Sequence, residues 1–328
     1  MANLKVSVAL CTFNGENYLK KQLDSIFNQT HLPDELIICD DASQDSTLGI
    51  LRSYRDAHPD IIRLIENKQN LGYKKNFEQA ISLCSGDIIL LSDQDDIWMP
   101  YRIERSVTAL NQHPECSYVF SDAQLIDPDD KPLRNSLWSS INFSHPKQKI
   151  FANPSLQAAF LSQKNYVTGA TLAFRSECRE LVLPIPTAEN LIHDHWIALV
   201  LSLTGHYGIA IATPLISYRI HEKQQVGIGK LKQVKTPRIK KSLSQNLLSK
   251  KELLKNVRAS ANDKVRNSEL FEANMNAILD RIDRRLEIVS SRSLIRRLIL
   301  LAKHSKHGIY SQFTLPWFRA CKDLISTK

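Results

Sequence analysis

The first 122 residues alternate between two spacings of apolar side chains, and that alternation leaves few folds open. Apolar runs at residues 6–10, 36–39, 87–91 and 117–120, with a weaker one at 63–66, read as short strands buried on both faces. Between them the spacing is helical. Tyr18, Leu19, Leu23, Ile26 and Phe27 share one face, Leu48, Leu51 and Tyr54 another, and residues 77–83 and 100–111 continue the series. Buried strands separated by amphipathic helices of about 10–15 residues predict an α/β fold around a mostly parallel, Rossmann-like sheet.

Beyond residue 122 the pattern changes. Periodicity weakens over residues 123–165, where Pro128, Pro132, Pro146 and Pro154 stand among Ser, Asn and Lys. This predicts a long, partly structured loop, and such loops tend to be lids or binding segments. Regular structure resumes at residues 166–175, with a helix at 194–203 and strands at 207–212 and 215–220. From residue 244 the spacing is helical throughout. Leu254, Val257, Ala261 and Val265 lie on one face, and Phe271, Met275, Ile278, Ile282, Leu286 and Val289 on another.

Charge divides the chain at the same place. Of 43 Lys and Arg, 23 fall within residues 230–328 against 8 of the 34 acids, a net charge of +15. Residues 1–229 hold 20 basic and 26 acidic side chains, net −6. The expected organisation is therefore an α/β domain at 1–229 and a basic α-helical C-terminal region at 230–328. An acidic first part is a poor nucleic-acid reader. No run approaches the roughly 18 apolar residues of a membrane span, and the N-terminus lacks the order of a signal peptide. Six scattered cysteines without a C-x-x-C pair suit reduced thiols. Together these predict a cytoplasmic protein.

Functional groups of open α/β sheets collect beyond the carboxyl ends of the strands. There the sequence places Thr12, Asn14 and Glu16, then Asp40, Asp41, Ser43 and Asp45, then Asp93, Gln94, Asp95 and Asp96. So many carboxylates at one edge repel unless a cation or donor groups sit among them. Asp93 and Asp95, two residues apart after a buried strand, can face one hard cation; Mg2+ or Mn2+ commonly binds through one or two carboxylates plus phosphates. Asp45 or Ser46 can also cap the following helix, and Asp96 can cap the one beyond Trp98.

These motifs resemble family 2 glycosyltransferases of GT-A fold. The resemblance rests on Val8-Ala9-Leu10-Cys11-Thr12-Phe13-Asn14-Gly15-Glu16, the 40–47 run, Asn70-Leu71-Gly72, and Leu91-Ser92-Asp93-Gln94-Asp95-Asp96-Ile97-Trp98. It covers roughly residues 4–222, and the D-Q-D-D-I-W variant is similar to bacterial rhamnosyltransferase-like enzymes of surface-polysaccharide assembly. The resemblance implies a metal-dependent, inverting transfer of a sugar from a nucleotide diphosphate, dTDP- or UDP-linked, to a hydroxyl of a glycan or lipid-linked glycan. It implies that Thr12, Asn14 and Glu16 flank the nucleotide, that Asp40 or Asp41 recognises the base, and that Asn70 and Asn76 add contacts. Asp93 would lie near ribose and sugar, and Asp95 would bind Mn2+ or Mg2+.

The second half of the site follows from the same resemblance. His193-Asp194-His195-Trp196 resembles the family's third acidic motif, which makes Asp194 the candidate base, with a plain N-cap role as its alternative. His193 and His195 are weaker candidates. Gly169, in Thr168-Gly169-Ala170-Thr171, would let a ligand approach the sugar pocket closely. Tyr218-Arg219-Ile220-His221 resembles Y-R-x-H, placing a cation and the His221 imidazole near the diphosphate; Arg219 reads equally well as a structural ion-pair partner. The Q-x-x-R-W motif of processive synthases is absent, which favours single additions.

A sugar-nucleotide pyrophosphorylase is the alternative enzyme, disfavoured because residues 11–16 hold only Gly15 and no basic phosphate loop. A catalytically silent glycan-binding scaffold is the alternative outside catalysis. In the last third, Lys230, Lys232, Lys235, Arg238, Lys240 and Lys241 read as a solvated linker. Arg292, Arg296, Arg297, Lys303 and Lys306 flank Leu294, Ile295, Leu298, Ile299, Leu300 and Leu301, with Leu315-Pro316-Trp317-Phe318-Arg319 beyond. That composition suits peripheral contact with the inner face of the cell membrane. A helical cap on the catalytic domain, or a contact between copies in a homo-oligomer, is equally compatible with it.

Overall fold

In a computed structural model, which describes residues 4–222, 224, 242–291, 293–305, 320 and 323, the predicted alternation organises the first half of the chain. Strand β1 (Val6–Thr12) is buried at every position. It pairs in parallel with β2 (Glu35–Asp40) on one side and β4 (Ile88–Ser92) on the other, and β3 (Ile62–Glu66) extends the sheet beyond β2. Helices α1 (Leu19–Phe27), α2 (Thr47–Ala57) and α3 (Tyr73–Leu83) link these strands. Each turns an apolar stripe inward: Leu19, Leu23 and Ile26 on α1, Leu51 on α2, Phe77 and Ile81 on α3.

Past β4 the sheet is mixed, where the sequence predicted mostly parallel strands. Strand β8 (Leu172–Arg175) runs antiparallel between β4 and the long β6 (Cys116–Ile126), which follows α4 (Arg102–Gln112). Strand β9 (Tyr207–Arg219) lies parallel to β6. The two-residue β5 (Ile97–Trp98) pairs antiparallel with β9. Residues 207–212 and 215–220, predicted as two strands, are one strand that ends at Arg219. Its register with β6 shifts at Pro214, which has no N–H to give to a ladder.

Residues 123–165 differ most from expectation. The predicted loop is instead β7 (Pro132–Ser136), α5 (Leu137–Ser140), α6 (His145–Phe151) and α7 (Pro154–Leu161), after a β6 that itself runs on to Ile126. Pro146 and Pro154 stand in the first turn of α6 and α7, where the missing N–H costs nothing. Its aromatic residues join the core of the sheet: Phe120, Trp138, Phe143, Phe151, Phe160 and Tyr166 form ring pairs 4.8–6.1 Å apart.

After α8 (Arg179–Val182), helix α9 (His193–Leu203) is buried at all 11 positions. It is apolar nearly all round because elements cover it on every side. One cover is C-terminal. Helices α10 (Leu243–Ser260), α11 (Asp263–Arg266) and α12 (Glu269–Ser290) bury Leu254, Val257, Val265, Phe271, Met275 and Ile278 in the same core as the sheet. Asn274 donates to the carbonyl of Leu203 at the end of α9. Helix α13 (Leu294–Ser305) follows. The basic run from Lys230 to Lys241, Arg292, Lys306 and the 315–319 aromatic segment lie outside the described residues. No helix among those described is long and apolar enough to cross a membrane.

Candidate active site

Parallel pairing aligns the strand ends that carry the acidic motifs: Thr12 stands beside Asp40, and Leu10 beside Ser92. The loops after β1 and β2 are then laced together. Asp40 is fully buried and accepts from the Thr12 hydroxyl at 2.7 Å and from the backbone N–H and hydroxyl of Ser43. Asp41 accepts the backbone N–H groups of Leu71 and Gly72 at 2.7 and 2.9 Å. Asn76 is also buried and donates to the carbonyl of Cys39. Asp40 and Asn76 thus shape the cradle from within. Asn14, Glu16 and Asn70 form its exposed rim: Asn14 accepts from the N–H of Gln44, Glu16 from that of Ser46, and Asn70 from that of Gly72. Asn14 and Ala42 both hold left-handed backbone, with φ of 49° and 63°, so the cradle is built of strained loops. Ser46 holds the N-cap position of α2 without a side-chain bond, and the neighbouring Asp45 accepts the N–H of Thr47.

The Asp93–Asp96 turn leaves β4 into the same edge. Burial, then the charges of Asp95 and Asp194, push the Asp93 carboxyl up to about 7. Asp96 is not a helix cap. It is buried, accepts the backbone N–H of Arg219 at 2.9 Å, and is raised well above the usual carboxylate range by burial and by Asp95 and Asp93. Beneath it the buried Arg102 lies 3.7 Å over the Trp98 ring and donates to the carbonyl of Leu91. Burial pulls that guanidinium down to about 9. Carboxylates that raise one another are what a hard divalent cation fits. Among the described residues no three His, Cys, Asp or Glu side chains enclose a metal by themselves. A cation here would rest on two carboxylates and take its remaining ligands from phosphate and water, as Mg2+ does.

Pairing of β5 with β9 carries residues 219–221 to this turn. His221 Nε2 lies 2.7 Å from Asp95 Oδ2, with its ring 5.0 Å from that of Tyr18. Arg219 takes the structural option. Fully buried, it donates to the carbonyls of Asp95, Asp127 and Pro128, pairs with Asp130 at 2.5 Å, and lies over Tyr18. Its Nε and Nη1 hold the turn, while Nη2 is buried with no hydrogen-bond partner among the described residues.

Asp194 arrives from the far side. Strand β8 runs back along β4, so the turn before it, containing Gly169, lies near the end of β4. Asp194 is buried in the first turn of α9, but the N-cap position belongs to Ile192. Its carboxylate accepts from the N–H of Gly169 at 2.8 Å, from Asn165 at 2.8 Å and from the N–H of His195. What comes close to Gly169 is a side chain, not an open pocket: a Cβ there would meet His193 Nε2 at 2.5 Å. His193 stacks on Phe77 at 4.3 Å, and burial lowers it from its ordinary range. His195 is tied to the carbonyl of Leu161 at 2.9 Å.

Sequence reasoning missed four contributors. Gln94 bonds both the N–H and the carbonyl of Phe13, locking the Asp93–Asp96 turn to the β1 loop; a Cβ on Gly15 would lie 2.2 Å from its Oε1. Asn165 orients Asp194, Tyr18 carries Arg219 and His221 on its ring, and Arg102 underlies Asp96. The central Gln of D-Q-D and the lone glycine opposite it were the available signal for the first. The other three had none, because their partners are 29 to over 200 residues away or hidden beneath the turn.

Residues 7–167 match the model of glycosyl transferase family 2. A putative glycosyltransferase of Bacillus subtilis, EpsE, is 39% identical over 109 residues, covering 33% of this chain and 39% of that protein. The chain thus spans well under two thirds of that relative. The dTDP-rhamnosyl transferase RfbG of Shigella flexneri is 27% identical over 268 residues, 80% of this chain and 88% of that one. Among solved structures, S. aureus TarS 1–349 in complex with UDP-GlcNAc superposes with a TM-score of 0.56 at 16% identity, over 98% of this chain and 88% of that one. The mannosyltransferase PcManGT of Pyrobaculum calidifontis, solved with GDP-Man and Mn2+, gives 0.52 at 20% identity, over 99% and 86%. The fold is therefore that of the GT-A glycosyltransferases, with C-terminal helices added.

Proposed function

We propose, from the match of residues 7–167 to glycosyl transferase family 2, that the protein moves a sugar from a nucleotide-diphosphate donor to an acceptor hydroxyl with inversion. The observation that carries this reading is the meeting of Asp93, the Asp95–His221 pair and Asp194 at the carboxyl ends of the parallel strands. The cradle of Thr12, Asn14, Glu16, Asp41 and Asn70 receives the nucleotide, with Asp40 and Asn76 bracing it from behind. The acceptor oxygen attacks the anomeric carbon on the face opposite the diphosphate. The bond to the diphosphate breaks, and the acceptor's proton passes to Asp194. Three donors fix that carboxylate, yet Oδ2 accepts only the Gly169 N–H and keeps a lone pair for the proton. Mn2+ or Mg2+ would be held by Asp95 and Asp93 and would offset the charge that builds on the departing diphosphate.

The likeness to a dTDP-rhamnosyl transferase over 80% of this chain supports a dTDP-sugar donor, rhamnose above others, with UDP-sugars as the next class. It also supports a glycan or lipid-linked glycan acceptor in bacterial surface-polysaccharide assembly. The test is thermal shift with dTDP and UDP, with and without Mn2+. The nucleotide should raise the melting temperature chiefly when the metal is present, and Asp95→Ala should erase the difference. A metal-dependent shift that survives in the variant removes Asp95 from this role.

A further inference from the structure

Helix α13 is mounted with its polarity reversed. The residues it turns toward the protein are Arg297, Leu300 and His304, all buried. Arg297 donates to the carbonyls of Val289 and Ser291 at the end of α12, and His304 Nε2 lies 2.8 Å from Glu287 Oε2. Leu300 packs on Ile288. The opposite face presents Leu294, Ile295, Leu298 and Ile299, which are 58%, 72%, 48% and 62% exposed. A surface helix normally buries such residues and leaves its cations in water. Here two inward-facing basic residues anchor the helix so that four adjacent aliphatic side chains point outward.

Charge identifies what covers that face. Arg296 and Lys303 are exposed on the same helix, α13 has no acidic residue, and the region from residue 230 onward carries +15. We propose that α13 is a docking surface for an anionic phospholipid bilayer, lying in the interface with Leu294, Ile295, Leu298 and Ile299 among the acyl chains and the cations at the headgroups. An aliphatic face bordered by cations is the composition of interfacial helices, and the basic surround adds attraction to a negative leaflet. The catalytic reading is not required for this. It stands on the C-terminal helices alone.

The full chain should co-float with vesicles of phosphatidylcholine containing 30% phosphatidylglycerol, and at least tenfold less with phosphatidylcholine alone or in 0.5 M NaCl. Ile295→Glu combined with Ile299→Glu, both at exposed positions, should cut flotation on the anionic vesicles at least tenfold, with an unchanged melting temperature and unchanged nucleotide binding. Wild-type protein that stays off anionic vesicles, or a double variant that floats as well as wild type, overturns the proposal. So does a wild-type dimer that ignores vesicles and becomes a monomer in the variant, since the face would then join two copies.

Discussion

At the scale of single residues, the site keeps charges that the fold alone would discard. The folded state holds the Asp93 proton up to about pH 7, whereas an unfolded chain releases it near pH 4. Between those values the folded state binds more protons, so this residue's contribution to stability falls as pH rises from about 4 to 7 and stays lost above. Asp93→Asn should therefore raise the melting temperature of the ligand-free protein at pH 8, by a few degrees for about 1–2 kcal/mol, with a smaller gain at pH 5, and should remove transfer. A variant less stable than wild type at pH 8 contradicts this. The residue types and their order were legible in the sequence because strand ends can be read from apolar runs. The division of labour was not. That Asp40 and Asp41 are both buried, that Gly169 makes room for His193, and that Arg219 is a brace all depend on packing between distant segments.

Among elements, the helices and parallel strands of the first half were located in the sequence, though β6 was read six residues short at its end, and residues 123–165 were read as loop. Their apolar residues are large aromatics spread over three short helices, none long enough to display a repeat, and the prolines that looked like breakers open two of those helices. The same limit hid how the strands bring the site together. Arg219 alone joins β9, the Asp93–Asp96 turn and the loop at 127–130. Arg219→Met, similar in length but without donors, should keep the backbone bond to Asp96 but leave the carbonyls of Asp95, Asp127 and Pro128 and the Asp130 carboxylate without their donor, and cost about 2–4 kcal/mol in denaturant titration. A loss under about 1 kcal/mol would remove Arg219 as the brace.

For the whole molecule, the two charge regimes at 1–229 and 230–328 correspond, we propose, to a catalytic domain and a helical extension on which it depends. The extension supplies Phe271, Met275 and Ile278 to the common core, and it covers α9, the helix that carries Asp194. Residues 1–229 expressed alone should therefore be recovered mainly as aggregate, because an apolar face of α9 would meet water. A soluble fragment with full nucleotide binding would show the extension to be separable. In the proposed mechanism catalysis rests on the meeting of a nucleotide cradle with Asp194, and the decisive measurement is the transfer rate and donor dissociation constant of wild type and Asp194→Asn. Transfer should fall about 100- to 10,000-fold with donor binding unchanged. Turnover within about threefold of wild type would contradict it.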